Sequence, residues 1–260
     1  MHKVKWGEVI ILPLTVFVIV VFLYMERSSE IKQPTQQRLP TSMPDFASYT
    51  DVKLKKQDFF SFMLPMVRNA NAAIQAERNF LMEMSEKTES GHEMSQRQLE
   101  TMQSLSEKYR VNAAPEQTLQ RLLDHVDIVP ESLVLAQAAN ESAWGTSRFA
   151  RTGYNFFGIW CFEVGCGEVP KARDAGKTHE VATFRSVQAG VEYYLLTINR
   201  HQAYQKLRDL RHDLRRQSKA LNGATLAEGL IKYSERGLPY VREIQAMISV
   251  NQLDQLSEQR

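Results

Sequence analysis

The sequence predicts an α+β protein that is predominantly α-helical, with a small β-hairpin lobe inserted in the helical part. Two observations predict this class. Apolar side chains recur every three or four residues along most of the chain, as in Leu99, Met102 and Leu105. The stretch 161–184 breaks this repeat and is rich in Gly, Lys and Val. Its end, 180–185, has the alternation of a short strand.

The first 50 residues predict a membrane anchor and a linker. Residues 9–25 contain no charged side chain. The length of this stretch is at the low end of what a membrane-spanning helix needs. Basic residues within 1–8 place the N-terminus in the cytoplasm and the rest of the chain outside it, by the positive-inside rule. A cleaved signal peptide is the alternative, although 24–27 is a poor cleavage site. Residues 26–50, with prolines and glutamines, predict a flexible linker.

Helical patterns fill the next unit, 51–110. One opens near Phe59 and ends at Gly91, and Pro65 should start a new helix or kink this one. A second helical pattern covers 96–109. The Met and aromatic stripes of these helices are more typical of a core than of a cofactor site, and no cofactor is predicted.

Residues 111–260 form the last predicted unit. Pro115 opens a helix, and Pro130 suits the first position of the following one. Ser186 is a fair N-cap for a helix over 187–200. Further helices are expected at about 201–221, 226–234 and 238–253.

Glu141 is the strongest candidate for chemistry. It follows Val134 and Ala138 at the spacing of one helix face. Gly145 is a plausible helix stop, so the carboxylate would lie in the last turn, where the helix dipole opposes ionisation. Burial against Trp144, expected on the same face, would also raise the carboxyl pKa. A general acid that works near neutral pH requires such a shift.

A segment dense in aromatic and amide side chains follows at 154–160. Aromatic rings stack on sugar rings, and amides hydrogen-bond to sugar hydroxyl and acetamido groups. The candidates for substrate binding are therefore Trp144, Asn155, Phe156, Phe157 and Trp160.

Charge and cysteine usage exclude other classes. The formal net charge is +2, without a long basic run, so no nucleic-acid partner is predicted. Cys161 and Cys166 are a plausible local disulfide in an oxidising compartment. Two sulfurs are half of a structural zinc site, and His179 is a lone further candidate, so no metal is predicted.

Several of these motifs together resemble a known family. E-S-A-W-G-T-S from Glu141, N-F-F-G-I from Asn155, a hairpin and then F-R-S from Phe184 resemble glycoside hydrolase family 73. Its members are bacterial peptidoglycan N-acetylglucosaminidases with a lysozyme-like α+β fold. W-C-F-x-x-G-C-G from Trp160 is similar to the membrane-anchored Bax-like branch of Gram-negative bacteria. The resemblance covers roughly 115–252.

The resemblance implies roles for particular residues. Glu141 matches the general acid, and Tyr233 matches a cleft tyrosine that precedes Tyr240, a further substrate-binding candidate. The family's second carboxylate lies on the β-lobe, where the candidates are Glu168 and Glu180, with Glu163 weaker. With one assigned carboxylate, inverting and substrate-assisted routes are both open.

The predicted function is a peptidoglycan hydrolase, an endo-β-N-acetylglucosaminidase that cuts the β-1,4 bond after N-acetylglucosamine. It would be a single-pass inner-membrane protein with its catalytic domain in the periplasm and glycan strands as its partner. The alternatives are a lytic transglycosylase and a non-catalytic wall-binding scaffold, in which the helices of 51–110 could serve an unknown protein partner.

Overall fold

The structure, a computed structural model, describes residues 31–258 apart from 172, 174 and 175. Helices dominate and the strands form one small sheet, so the predicted α+β class is confirmed. The elements are α1 (Val52–Glu89), α2 (Gln96–Tyr109), α3 (Pro115–His125), α4 (Glu131–Glu141), α5 (Arg148–Gly153), β1 (Trp160–Cys161), β2 (Gly167–Glu168), β3 (Glu180–Ala182), α6 (Val187–Arg200), α7 (Gln205–Arg216), α8 (Gly223–Ala227), α9 (Leu238–Val250) and α10 (Gln255–Glu258).

The predicted anchor at 9–25 lies outside the described residues. Within the part of the chain that the structure covers, no helix combines the length and the apolar character needed to cross a bilayer.

Helix α4 is the centre of the domain. Every residue from Glu131 to Ala139 is buried, because α1, α8 and α9 pack around the helix. Its small, uncharged side chains allow this close packing on all sides. Pro130 precedes the helix as its cap residue, one position before the predicted one. The buried Glu131 accepts a 3.2 Å hydrogen bond from Nε of Arg68 on α1.

Helix α1 is a single helix of 38 residues that includes Pro65, so the expectation that a new helix starts there is wrong. A proline inside a helix costs about 3 kcal/mol. Met63, Met66 and Val67 around it are buried, and α1 packs along α4 and α6. This packing keeps the helix continuous. The helix also begins earlier than predicted, at an N-cap formed by the side chain of Asp51.

Part of the predicted linker packs against the helices. Residues 31–50 contain no helix or strand, yet Phe46 is only 1% exposed and contacts Phe59 with ring centroids 5.3 Å apart. Further upstream, the Asn69 side chain pairs with both backbone polar groups of Gln37, at 2.6 and 2.9 Å. The second half of the predicted linker is therefore packed on the domain.

The β-lobe is a three-stranded antiparallel sheet in the order β1-β3-β2, where the sequence predicted a hairpin. Strand β3 is central, and its register pairs Trp160 with Val181 on one side and Gly167 with Ala182 on the other. A Cβ on Gly167 would lie 2.0 Å from the carbonyl oxygen of Val181, so only glycine fits there.

The C-terminal helices agree with the prediction at one point and differ at others. Helix α6 covers the predicted 187–200, and Ser186 caps it by accepting from the backbone of Ala189. The helix expected at 201–221 is a short 3₁₀ turn followed by the shorter α7. Helix α8 begins before the predicted position because the Asn222 side chain caps it.

Candidate active site

Glu141 is the last residue of α4 and is half-buried. Its Oε1 accepts a 2.8 Å hydrogen bond from the hydroxyl of Tyr240 on α9 and a longer one from the amide of Asn140. Oε2 is directed to Gly158, where an added Cβ would lie 3.7 Å from it. Burial raises the pKa of Glu141, and the hydrogen bonds from Tyr240 and Asn140 oppose this increase. The raised pKa suits a proton donor.

A chain of buried polar groups orients the Tyr240 hydroxyl. Tyr194 on α6 donates to Oε1 of Gln137. Gln137 then donates from Nε2 to the Tyr240 oxygen, at 2.9 Å. With its oxygen occupied in this way, the Tyr240 hydroxyl directs its proton to Glu141. Sequence reasoning missed Gln137, although a buried-helix amide four residues before the candidate acid is a signal that could have found it.

Trp144 does not lie on the helix face of Glu141, contrary to the prediction. The helix ends at Glu141, and residues 143–145 all have positive φ angles of 50°, 60° and 75°. This left-handed turn directs the Trp144 ring to α1, where it makes edge contacts with Phe59 and Phe60. Trp144 therefore joins the acid-bearing helix to the N-terminal helices.

The segment 155–159 forms the loop beside the acid. Asn155 is buried, and its amide donates to the carbonyls of Ile159 and Ala182 at 2.8 Å each. Phe156 and Phe157 are buried as well. The Asn155 side chain therefore ties the loop to β3, and the two rings are packed in the core, with Phe157 at the edge of the cavity described below.

Two tyrosines support this loop from the other side. The Tyr233 hydroxyl donates a 2.6 Å hydrogen bond to the carbonyl of Phe157. Its ring stacks on that of Tyr240, with centroids 5.6 Å apart and planes inclined by 3°. The structure therefore brings Tyr233, Tyr240 and Glu141 together, as members of one site.

An open cavity of about 700 Å³ adjoins the acid through Gly158. Trp160 lines it, is 51% exposed and stacks on His179 at 4.1 Å. The other walls come from the loop after β1, helix α6, the region after α2 and Tyr233. An exposed aromatic ring in a cavity that adjoins a carboxyl group of raised pKa is an arrangement that can hold a sugar ring.

The three candidate second carboxylates occupy different environments. Glu168 pairs with Arg148 of α5 at 3.0 Å and accepts from Thr152. Glu180 is buried in the β-lobe. Glu163, the weakest candidate by sequence, is exposed and lines the cavity.

Glu180 braces the loop that carries Glu163. Its carboxylate accepts hydrogen bonds from the backbone N–H groups of Gly165, at 3.1 Å, and Gly167, at 2.8 Å. These hydrogen bonds hold the pKa of Glu180 below its usual value. A disulfide between Cys161 and Cys166 closes the same loop.

Among the described residues, one group places metal-type ligand atoms close together: Cys161, Cys166 and Glu180, within 4.8 Å of one another. Its sulfurs are joined in the disulfide, and the carboxylate is bonded to backbone N–H groups. The group therefore has no free thiolate to offer a metal, and it serves to brace the loop.

Comparisons with known proteins identify the family of the chain. A family model described as mannosyl-glycoprotein endo-beta-N-acetylglucosaminidase matches residues 116–253. The protein named "Protein bax" of Escherichia coli (strain K12) is 32% identical over 218 residues, which cover 82% of this chain and 75% of that protein. No solved structure matches the chain significantly. The family match includes Glu141, Tyr240 and the entire β-lobe. Because of this match and the Bax-like relative, the chain belongs to the glucosaminidase family.

Proposed function

We propose that the protein is an endo-β-N-acetylglucosaminidase that cuts the β-1,4 bond of peptidoglycan after N-acetylglucosamine, with Glu141 as the general acid. Family membership supports a glycoside hydrolase that acts on peptidoglycan. The observation that carries the finer proposal is the Glu141 carboxyl group. Burial raises its pKa, and its Oε2 is directed to the glycine that borders the cavity.

The proposed acid step uses the two carboxyl oxygens differently. Oε1 accepts from Tyr240, so the transferable proton resides on Oε2 and is given to the leaving glycosidic oxygen. The carboxylate that remains carries more negative charge than the acid did. The hydrogen bonds from Tyr240 and Asn140 therefore strengthen as the proton leaves, which stabilises the transition state.

Glu163 is the proposed second carboxylate. Hydrolysis with inversion needs a carboxylate that activates water on the opposite face of the sugar. Glu163 lines the cavity and is exposed, whereas Glu180 is occupied by Gly165 and Gly167. Glu180 is then a positioning residue for the loop. If the substrate's own acetamido group assists instead, Glu163 is dispensable.

The proposed location is the inner membrane, with the catalytic domain in the periplasm. The uncharged stretch 9–25 and the basic residues before it support this location. The disulfide between Cys161 and Cys166 suits an oxidising compartment. The chain that follows the anchor would let the domain reach an immobile polymer.

Mass spectrometry of digested cell-wall sacculi tests the proposal, with the purified full chain and three variants. We expect wild-type products with N-acetylglucosamine at the reducing end. Glu141→Gln should lose at least about 100-fold in rate, and Glu163→Gln a comparable factor if it is the base. Glu93→Gln, an exposed carboxylate between α1 and α2, is the control.

Three results would contradict parts of the proposal. Anhydro-muramyl products would identify a lytic transglycosylase. Equal behaviour of wild type and Glu141→Gln, with glycan binding intact, would indicate a scaffold. Full activity of Glu163→Gln would remove that residue from the mechanism and favour the substrate-assisted route.

A further inference from the structure

The cavity beside Glu141 contains two arginines, Arg110 and Arg200. Arg200 ends α6, and Arg110 directly follows α2. Arg110 precedes residue 116, where the family match begins. The N-terminal helices therefore contribute a side chain to the wall of the cavity that adjoins the candidate acid.

No carboxylate among the described residues neutralises either guanidinium. Within the described part of the chain, the side chains of Arg110 and Arg200 form no ion pair with a carboxylate. Arg200 lies over the ring of Tyr193, at 5.6 Å from its centroid, a contact that orients the cation without neutralising it. By contrast, other arginines of the protein each pair with a glutamate or aspartate, namely Arg68, Arg78, Arg148 and Arg215.

The position of Arg110 is set by the backbone. Its φ of 54° ends α2 in a left-handed turn, and its N–H is bonded to the carbonyls of Ser106 and Glu107. A non-glycine residue in this conformation is uncommon. Because Tyr109 beside it is completely buried, the turn is fixed to the core while the Arg110 side chain remains exposed.

We propose that Arg110 and Arg200 form a carboxylate-binding subsite that selects glycan strands with negatively charged substituents. This inference rests on the proposed function, because it takes the cavity to be the glycan site. A guanidinium binds a carboxylate through two parallel hydrogen bonds, a geometry that an uncharged sugar cannot match. Trp160 and Tyr233 supply aromatic walls for the sugars, so the cavity has an aromatic part and a cationic part.

Two groups on the polymer carry this chemistry. One is the lactyl carboxylate of a muramyl residue that has lost its peptide, and the other is the set of carboxylates on an attached peptide. Both are absent from a chain of N-acetylglucosamine alone. Among the described residues, the cavity wall contains one acidic side chain, Glu163, against two arginines, so this excess of positive charge favours an anionic ligand.

The test is binding of three soluble probes to the full chain, measured by calorimetry. The probes are tetra-N-acetylchitotetraose, a peptide-free muramyl tetrasaccharide and the same tetrasaccharide with peptides attached. We expect wild type to prefer the carboxylate-bearing probes. Arg110→Gln and Arg200→Gln should each reduce that preference by about three- to tenfold, and the Lys variants should retain part of it because they keep the charge.

Arg121→Gln is the matched control, because Arg121 is exposed on α3 and lies outside the cavity lining. Its preference should equal that of wild type. A tighter complex with the peptide-bearing probe than with the peptide-free probe assigns the subsite to the peptide carboxylates. A tighter complex with the peptide-free probe assigns it to the lactyl carboxylate, which becomes an uncharged amide when a peptide is attached.

The inference is overturned if wild type binds the uncharged probe as well as the others, or if the double Arg→Gln variant keeps the preference. Its failure is separable from that of the proposed function. A chain that cleaves no sacculi but still prefers carboxylate-bearing probes retains the subsite and loses the enzymatic activity. A chain that cleaves sacculi without that preference has the enzymatic activity and lacks the subsite.

Discussion

The hydroxyl of Tyr240 donates a 2.8 Å hydrogen bond to Oε1 of Glu141 across 99 residues of sequence. Two opposing effects therefore meet at one carboxyl group. Burial raises its pKa, and the Tyr240 hydrogen bond lowers it. The first effect favours the protonated carboxyl group, and the second favours its ionised form.

Replacing Tyr240 by Phe removes the effect that lowers the Glu141 pKa. A general acid is active while protonated, so a higher pKa moves the alkaline limb of the pH–rate profile to higher pH. The maximal rate should fall because the anion loses a donor. Rates of peptidoglycan solubilisation from pH 4 to 10 measure both changes.

The control for this substitution is Tyr49→Phe. Tyr49 donates a 2.8 Å hydrogen bond to Asp58, so the variant also loses a tyrosine–carboxylate pair, but outside the cavity. We expect no change in its pH–rate profile. An unchanged profile in Tyr240→Phe would show that the hydrogen bond does not tune the acid.

The Glu141→Gln variant should be more stable than wild type at neutral pH. Because the folded-state pKa of Glu141 is raised, its ionised form disfavours folding. This penalty is complete above the folded pKa and vanishes as the pH falls below the value of an unfolded glutamate, about 4.3. Urea unfolding at pH 7 and pH 4 measures it, and the difference between the two proteins should shrink at pH 4.

Glu180→Gln should loosen the loop that carries Glu163. The ionised carboxylate accepts from Gly165 and Gly167, and its folded-state pKa is lowered. The stability it contributes is present above the unfolded pKa and is lost as the pH falls through the folded pKa. Hydrogen exchange of the Gly165 and Gly167 amides should be faster in the variant at pH 7, and in wild type protection should fall under acidic conditions.

The matched variant for that loop is Glu168→Gln, because within the described part of the chain Glu168 pairs with Arg148 and Thr152 and not with the loop amides. It should leave both glycine amides protected. Equal exchange in wild type and Glu180→Gln would contradict the bracing role.

Asp127→Asn should cause a large loss of stability. Asp127 is 2% exposed and accepts two hydrogen bonds from Arg215, at 2.8 and 3.0 Å, with Arg78 at 3.5 Å. Burial alone would raise its pKa, but the arginines hold it below the usual value. Removing the charge takes away the carboxylate that lies 3.9 Å from Nε of the buried Arg211, which costs about 3 kcal/mol. Urea unfolding measures this loss.

Asp213→Asn, on the exposed side of α7, is the comparison for the aspartate variant. It should change the free energy of unfolding by less than about 0.5 kcal/mol. A similar small effect for Asp127→Asn would mean that the arginines find other partners.

Local signals predicted the helix of Glu141 well, because spacing and caps act within a few residues. The position of Glu141 in the last turn of α4 and the cap at Ser186 belong to this class, whereas the helix ends before the predicted stop at Gly145. Trp144 was misplaced because regular helical spacing was extended past the helix end. The left-handed turn at 143–145 depends on packing against Phe46, whose ring would be 2.4 Å from a Cβ on Gly145.

The partners of the acid were beyond local reasoning. The spacing of Gln137 from Glu141 is a local signal, but its pairing with Tyr194 and Tyr240 depends on contacts between α4, α6 and α9, which no short-range pattern encodes. The choice between candidate carboxylates failed for the same reason. Glu180 looked free in the sequence, but the folded loop supplies two backbone donors to it.

The long helix α1 defines how much of the chain must be kept together. It covers α4, supplies Arg68 to the buried Glu131, and provides the surface on which Trp144 rests. A fragment limited to the residues of the family match would lack α1 and would expose the apolar surface that α1 covers. The smallest autonomous folding unit therefore starts ahead of Phe46, and shorter versions should aggregate.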